Sequence, residues 1–412
     1  MTNNLNKFNT FISKANILLL GLIVFLIPIY HKFLSPLIAL WALTNLVIIV
    51  RTKQKIRLQK SQLVLIGFYL LLAIGLFWTK NMKAGGFDLE VKLSLLLFPL
   101  FFLYIDYSKP YIRFVIYAFI LGILSSSFFL LYRSILLFNT NGSIDSFFYI
   151  NFSTLIHPSY LSLYVVTAIL ILLVDLRYSV LKLFNYNAIY LIFLFVLFTV
   201  NLLLVSKIGI IVCVSLILFF IVQWVLSKSK YVLGGVIFIG LLISLYSFYQ
   251  FSPYAKQRIN ETYVSLIDRD TKSNNGSTGI RLKIWKEGVV LIKENPFIGY
   301  GTGDVKDVLM NRYKLNGINA AFDKKLNAHN QFIQIGIGLG GIGLFVFSLI
   351  FYFGLLNGRE NKNYFSIGFL LISIIFMLPE SVLENQAGTI FFGLFISLFN
   401  QKSFFQNEFT KS

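Results

Sequence analysis

Twelve runs of apolar residues, separated by short polar segments, constrain this 412-residue chain more than any other feature of its sequence. A helix needs about 20 mostly apolar residues to cross a bilayer, and about twelve such helices account for the 57% of residues that are apolar. No soluble core can bury so much apolar surface. The sequence therefore predicts an all-α, polytopic integral membrane protein with about 12 transmembrane helices. The runs are residues 15–30, 34–50, 63–78, 91–105, 111–138, 155–174, 188–205, 208–226, 231–251, 331–356, 364–378 and 387–399.

The first and last runs leave open how the chain crosses the membrane. The first resembles a signal peptide, but no small-residue cleavage site follows it, so we expect an uncleaved first helix. The last run, residues 387–399, is shorter than a normal span. It either begins nearer Ser381 or enters the membrane without crossing it. Soluble enzymes, fibrous proteins and disordered chains are excluded, because only 13% of the residues are charged and most are apolar.

The distribution of basic residues predicts the orientation of these helices. With the N-terminus inside, the inner loops carry 17 Lys and Arg residues, whereas the short outer loops carry five. Because basic residues accumulate in cytoplasmic loops, we expect both termini in the cytoplasm. The chain then divides into a membrane domain of about nine helices (1–251), a long outer loop with short amphipathic helices (252–328), and about three further helices with a cytoplasmic tail (329–412).

This orientation gathers polar side chains at the outer helix ends. Arg133 lies little more than one turn below the outer end of its helix, and an arginine inside a span usually faces the bundle interior or reaches the interface. Histidines and glutamates at helix entrances most often serve as capping or interfacial residues, and that is the simpler interpretation for several of these residues. The residues expected at the outer ends are His31, His157, Lys207, His329, Glu380 and Glu384.

The long outer loop contains a flexible turn and then an amphipathic helix. Residues 273–279 are typical of a turn, and residues 280–294 predict a helix that Asn295-Pro296 ends. Arg281 and Trp285 lie on one stripe of this helix. The stripe is typical of a helix on the membrane surface, with the tryptophan at headgroup depth.

Phosphate-loop, metal and nucleic-acid sites receive little support. The glycine cluster 299–303 resembles a phosphate-binding loop, but no βαβ unit precedes it, so a plain turn is favoured. The single cysteine, Cys213, lies in an apolar run and the histidines occur singly, so we expect no disulfide, no metal site and no cofactor. The net charge of +19 is expected to serve topology and anionic lipids, not nucleic acid.

Four motifs follow one another in the outer loop and the helix after it. Residues 279–285, which contain Arg281, precede residues 295–301, then His329-Asn330 at a helix entrance, then the glycine-rich residues 336–341. Their order and spacing resemble the O-antigen ligase and O-antigen polymerase family of bacterial envelope proteins. Looser similarity extends to residues 206–209.

The resemblance implies a metal-independent glycosyltransferase in the bacterial inner membrane. It would take a glycan from an undecaprenyl diphosphate carrier at the periplasmic face. In a ligase the acceptor is a sugar hydroxyl of the lipid A core, and in a polymerase it is another carrier-linked repeat. The motifs around Arg281 and His329 are more similar to the ligase version.

The resemblance also implies roles for individual residues. Arg281 and His329 are the expected catalytic residues, and Arg281, Lys207 and Arg133 are expected to bind the diphosphate, because cations stabilise the charge that grows on the leaving group. His329 would accept the proton of the attacking hydroxyl or hydrogen-bond the diphosphate. The family usually has arginine at the position of Lys207, so this chain keeps the charge and loses the bidentate fork. His157, Glu380 and Glu384 are weaker candidates.

Two functions of other classes are compatible with the sequence. A polysaccharide flippase or other transporter is expected to carry ionisable residues near the bilayer midplane, whereas these spans are nearly free of charge. A non-catalytic envelope assembly protein is the other alternative.

Overall fold

The computed structural model describes residues 2–30, 33–267 and 277–405. Over these residues the chain forms helices and connecting loops, without strands. Helices satisfy their backbone polar groups internally, as a chain in lipid requires. The predicted all-α class is confirmed. His31, Lys32, most of the turn predicted at 273–279 and the end of the chain after residue 405 lie outside the described residues.

Eighteen α-helices are named here in chain order, as far as the structure describes the chain. They are α1 (Thr2–Leu26), α2 (Leu34–Thr52), α3 (Lys60–Ile74), α4 (Met82–Lys92), α5 (Ser94–Phe102), α6 (Lys109–Asn141), α7 (Tyr149–Phe152), α8 (Pro158–Tyr178), α9 (Asn187–Leu203), α10 (Lys207–Lys228), α11 (Tyr231–Phe251), α12 (Pro253–Ile267), α13 (Ser277–Glu294), α14 (Val305–Leu315), α15 (Asn319–Asp323), α16 (Gln331–Glu360), α17 (Tyr364–Met377) and α18 (Gln386–Phe399).

Seven of the described helices are long and apolar enough to cross a membrane, and four shorter helices are also apolar. The polytopic membrane character is therefore confirmed, while the number of about 12 spans stays a prediction. The run 91–105 differs most from expectation, because it is split between the end of α4 and the nine-residue α5. The seven are Leu34–Thr52, Lys60–Trp78, Lys109–Asn141, Pro158–Tyr178, Lys207–Lys228, Tyr231–Phe251 and Gln331–Glu360; the four are Thr10–Leu26, Asn187–Leu203, Tyr364–Met377 and Gln386–Phe399.

The chain consists of two compact units. Unit 1 comprises Met1–Gly122 and Arg281–Ser412, and unit 2 comprises Ile123–Ile280. In unit 1, α3 packs along α16, and α18 packs on α5 and α17. In unit 2, α8 packs between α9 and α10. The division into 1–251, 252–328 and 329–412 expected from the sequence rests on membrane topology, not on contacts, and stays a prediction.

The last apolar run forms the centre of unit 1. Every residue from Ala387 to Phe399 in α18 is buried, and phenylalanines of α18 and α17 pack ring against ring, as in the pair Phe369 and Phe399 at 5.4 Å. The 14 residues of α18 rise about 21 Å, less than the roughly 30 Å of a bilayer core. This helix therefore belongs to the buried core of unit 1. Whether it begins nearer Ser381 and spans the membrane, or enters without crossing, stays as predicted from the sequence.

Helix α16 is broken at Gly340, whose backbone angles of φ 61° and ψ −155° are accessible almost only to glycine. The segment 296–301 lies against the break and replaces the missing helical hydrogen bonds. Glycines at 299 and 301 also have positive φ, which fits a packing role for the glycine cluster 299–303. The replacing bonds run from Tyr300 N to Ile337 O (2.9 Å), Gly301 N to Gly338 O (2.9 Å), Gly341 N to Pro296 O (2.7 Å) and Ile342 N to Phe297 O (3.2 Å).

The break divides α16 into two parts, residues 331–339 and residues 341–360. Residues 341–360 alone rise about 30 Å, which matches the bilayer core. We therefore expect residues 331–339 to continue beyond the hydrocarbon. This first part of α16 begins at His329-Asn330, where the sequence motif predicts a helix entrance.

We expect Gly340→Ala to lower the yield of folded protein by at least about 10-fold. A Cβ at Gly340 would overlap the backbone of Phe297, and the backbone conformation itself costs a non-glycine residue about 1–3 kcal/mol. The measurement is the monodisperse fraction in detergent and its melting midpoint. Gly240→Ala in α11, where a Cβ meets open space, is the matched control and should behave like the wild type. An equal yield of both variants would contradict the account of the break.

Candidate functional site

Glu380 joins the two residues that the motifs single out. Arg281 Nη2 on α13 donates to Glu380 Oε1 at 2.6 Å, and His329 Nδ1 lies 3.3 Å from Glu380 Oε2. The Glu380 side chain is 9% exposed, against 24% for Arg281 and 23% for His329. The carboxylate is therefore enclosed between a guanidinium and an imidazole that both remain partly open to solvent.

Helix α13 places Arg281 by packing along the first part of α16. Trp285 Nε1 donates to the backbone oxygen of His329 at 3.2 Å, and Gly288 lies where a Cβ would meet Ile333. The helix predicted at 280–294 is confirmed and begins slightly earlier, at Ser277. Trp285 and Gly288, which share a stripe with Arg281, lie against the entrance and the first part of α16, because the glycine allows the two helices to approach closely. The expected position of this stripe at the membrane surface stays a prediction.

The backbone around His329 is held in a strained conformation. His329 has a φ of 44°, a left-handed value that is uncommon outside glycine. Asn330 then caps α16, since its side-chain oxygen accepts from the backbone N–H groups of Phe332 and Ile333 at 2.9 and 3.0 Å. The Asn330 N–H donates to Ser381 Oγ at 3.1 Å. These bonds fix the direction of His329 relative to the segment that carries Glu380.

Glu384 belongs to a second, more buried cluster, which consists of Lys92, Asp88, Glu384, Gln331 and Gln334. Lys92 Nζ contacts Glu384 Oε1 at 2.9 Å and both oxygens of Asp88 at 2.6 and 2.7 Å. Gln334 Nε2 donates to Glu384 Oε2 at 3.1 Å, and Gln331 Oε1 accepts from the Leu383 N–H at 2.7 Å. We call this group the Lys92 cluster.

Burial and charge perturb the Lys92 cluster in opposite directions. Burial, with help from Glu384, raises the pKa of Asp88 to about 6 against the opposing effect of the Lys92 ammonium. For Lys92, burial alone lowers the pKa, but the two carboxylates outweigh it and raise the pKa above its ordinary value. The lysine therefore stays charged, and Asp88 takes up a proton in mildly acidic solution.

The other candidates, Lys207, Arg133 and His157, lie in unit 2 and have hydrogen-bond partners in that unit. Lys207 Nζ donates to Thr278 Oγ1 at 2.9 Å, and Arg133 Nη1 donates to the backbone oxygen of Asn151 at 3.0 Å. His157 caps α8, because its Nδ1 accepts from the Ser159 N–H at 3.3 Å. A structural role thus accounts for Nδ1 of His157.

The motif at 206–209 has a clear structural logic. Ser206 caps α10 by accepting from the Gly209 N–H at 3.3 Å, and Asn201 Nδ2 donates to the Gly209 oxygen at 3.1 Å. A Cβ at Gly209 would overlap Ser162 on α8. Helix capping and close packing therefore explain the serine and the glycine of this motif.

The sequence singles out Glu380 only as a weak candidate and does not single out Asp88 or Lys92. Glu380 pairs with residues 99 and 51 positions away, so no local pattern predicts the contact. Asp88 and Lys92 are four positions apart on α4, and a pair of opposite charges beside an apolar run was the available signal. Among the described residues, no three His, Cys, Asp or Glu side chains gather as a metal site.

The fold and these contacts define a helical, multi-pass membrane protein with an arginine–glutamate–histidine cluster at the meeting of α13, α16 and the segment after α17. Residues 191–348 match the family model described as O-antigen ligase. The match confirms the resemblance to the O-antigen ligase and polymerase family, whose members are membrane glycosyltransferase-like enzymes. It contains Lys207, Arg281 and His329, whereas Glu380 and the Lys92 cluster's Asp88, Lys92 and Glu384 lie outside it.

A protein of Haemophilus influenzae, described as an uncharacterized protein, is also similar. It is 27% identical over 196 residues, which cover 45% of this chain and 48% of the relative. The chain thus spans about half the length of this relative.

Proposed function

We propose that the protein is an O-antigen ligase. It transfers a glycan from an undecaprenyl diphosphate carrier to a sugar hydroxyl of the lipid A core, at the periplasmic face of the inner membrane and without a metal ion. The observation that carries this proposal is the contact of Glu380 with both Arg281 and His329. It gathers a candidate base and a candidate anion-binding cation on one carboxylate.

His329 acts as the general base. When the imidazole is neutral and Nδ1 donates to Glu380, the lone pair is on Nε2, which takes the proton of the acceptor hydroxyl. The acceptor oxygen forms a bond to the anomeric carbon as the bond from that carbon to the diphosphate oxygen breaks. Glu380 orients the imidazole and stabilises its protonated form, as carboxylates do beside catalytic histidines.

Arg281 stabilises the departing diphosphate. A guanidinium has five N–H donors, so the bond to Glu380 leaves donors for phosphate oxygens. Placing a fixed positive charge where negative charge grows lowers the barrier without reorganisation. From the sequence, Lys207 is our second candidate for this role and Arg133 the third. His157 and Glu384 have no step in the mechanism.

The runner-up function is an O-antigen or polysaccharide polymerase, which uses the same donor and a carrier-linked acceptor. The mechanism above serves both reactions, because only the source of the attacking hydroxyl differs. In either case both termini are proposed to face the cytoplasm and the loop 252–328 the periplasm, which brings Arg281 and His329 to the side of the carrier-linked donor.

Deletion of the gene tests the proposal. A ligase deletion should leave the lipid A core bare while full-length polymer accumulates on the carrier, and plasmid-borne wild-type protein should restore the polymer to the core. The measurement compares lipopolysaccharide with the carrier-linked glycan pool of the same cells. Core that bears a single repeat, without long polymer on core or carrier, would identify a polymerase. Unchanged lipopolysaccharide would contradict both assignments.

A further inference from the structure

The Lys92 cluster is an unusual feature to find next to the site, because it buries three charged groups. The exposed fractions of the side chains are 6% for Lys92, 19% for Asp88 and 16% for Glu384. Burying charges is expensive unless they pair closely, and two carboxylates around one ammonium leave a net negative charge. Stability alone does not explain such an arrangement, because a buried ion pair often adds little to the free energy of unfolding. The position of the cluster in the fold indicates what else it does.

The cluster is tied to the catalytic residues through one short segment, residues 380–384. At one end of the segment Glu380 holds Arg281 and His329. At the other end Lys92 Nζ lies 2.9 Å from Glu384 Oε1. Within the segment, the Leu383 N–H donates to Gln331 Oε1 at 2.7 Å. Gln331 is the first residue of α16, two positions after His329. The cluster therefore anchors both the segment of Glu380 and the helix entrance of His329.

The cavity beside the cluster is too small for a ligand, which favours a structural role for the Lys92 ammonium. The cavity beside it has a volume of about 20 Å³ and is lined by Asp88, Lys92, Gln331, Gln334 and Glu384, with apolar residues around them. This volume holds about one water molecule, far too little for a sugar or a phosphate. The ammonium thus acts on its protein partners and not on substrate.

We propose that Lys92 is a positioning residue for glycan transfer: by pairing with Glu384 it fixes the segment 380–384, so that Glu380 holds Arg281 and His329 in the reactive arrangement. The inference rests on the proposed function for its kinetic consequence. Its structural consequence, the order of the segment 380–384, can be measured without any activity.

The first test measures amide hydrogen exchange of the full-length protein in detergent. In Lys92→Met, which keeps the side-chain length and removes the charge, exchange of the Leu383 and Asn330 amides should be at least about 10-fold faster, because local opening of this segment becomes easier. Lys83→Met, an exposed lysine on the same helix, should leave exchange unchanged. Wild-type protection in Lys92→Met would overturn the proposal.

The second test measures transfer kinetics with carrier-linked glycan extracted from the deletion strain as donor and bare lipid A core as acceptor. Lys92→Met should lower kcat at least about 10-fold at pH 7.5 and change the KM for the donor by less than about 3-fold, and Lys92→Arg should retain most of the activity. A loss of kcat that Lys92→Arg does not relieve would indicate a packing role and overturn the proposal.

The pH profile separates charge from packing. Without the ammonium, Asp88 and Glu384 repel each other, and protonation of one carboxylate relieves the repulsion. The activity of Lys92→Met should therefore recover, relative to wild type, as the pH falls from 7.5 to 6. In Lys92→Met combined with Glu384→Gln this relative recovery should vanish. The groups facing these side chains are Gln331 and Gln334 on α16, and Tyr69 on α3 near Asp88.

Two outcomes keep the inference separate from the proposed function. If the wild type transfers no glycan while exchange at Leu383 still depends on Lys92, the proposed function fails and the anchoring stands. If the wild type is active and Lys92→Met matches it in kcat and in exchange, the inference fails alone. Should Lys92→Met not accumulate, Glu384→Gln carries the test, and wild-type exchange and kcat in that variant would overturn the proposal.

Discussion

Replacing Arg281 with alanine should lower glycan transfer by at least about 100-fold while folded protein remains near the wild-type amount. The loss of one preorganised donor to a developing negative charge typically costs about 100- to 1000-fold in rate. Arg281 has a second task, because it is a hydrogen-bonded partner of the Glu380 carboxylate. Arg281→Lys should recover little, since a lysine ammonium cannot hold Glu380 and a phosphate oxygen with the same planar fork.

The matched control for Arg281 is Lys286→Ala. Lys286 lies on the same helix and its side chain is exposed, so this variant removes an equal charge without touching Glu380. We expect a change of less than about 3-fold in transfer. Both variants are compared at equal protein level with the same carrier-linked donor. Full activity in Arg281→Ala would remove this residue from the mechanism.

Loss of the His329 imidazole is the second large effect that we expect, again at least about 100-fold. General base catalysis contributes about 100- to 10,000-fold. The positive φ of 44° makes the choice of variant important, because alanine is strained there, whereas asparagine tolerates the left-handed region. His329→Asn therefore removes the base and keeps the left-handed backbone conformation, so a loss of activity in this variant indicates a role of the imidazole in proton transfer.

Two companions complete the His329 experiment. Lys325→Ala places alanine at an exposed position of the same loop that also has a positive φ, 50°, and should transfer glycan at nearly the wild-type rate. Glu380→Gln keeps the shape of the side chain but removes its charge, and should lower transfer by about 10-fold or more. Wild-type activity of His329→Asn would show that the residue serves the backbone and not the proton transfer.

The sequence predicts much of what local patterns determine. The end of α13 at Asn295-Pro296 and the start of α16 directly after His329-Asn330 follow from residues within a turn of each feature. The helical class follows from the apolar runs. These features depend on helix capping and burial, which act over a few residues.

What the sequence does not predict depends on distant contacts. The break of α16 at Gly340 requires the segment 296–301 to supply hydrogen bonds, so the glycine-rich pattern alone does not predict at which glycine the helix breaks. Glu380 meets Arg281 and His329, and Lys92 meets Glu384, only when distant parts of the chain assemble. Apolar content likewise predicts burial of residues 387–399 but does not distinguish a core helix from a full span.

The central claim is that this chain itself transfers carrier-linked glycan and uses His329 to do so. The most direct measurement mixes the purified protein in detergent with carrier-linked glycan extracted from the deletion strain and bare lipid A core, with EDTA present. We expect the wild type to form glycan-bearing core and to release the carrier diphosphate, whereas His329→Asn, equally folded, should do neither. Glycan transfer by His329→Asn at the wild-type rate, or none by the wild type when fresh donor and acceptor are supplied, would contradict this claim.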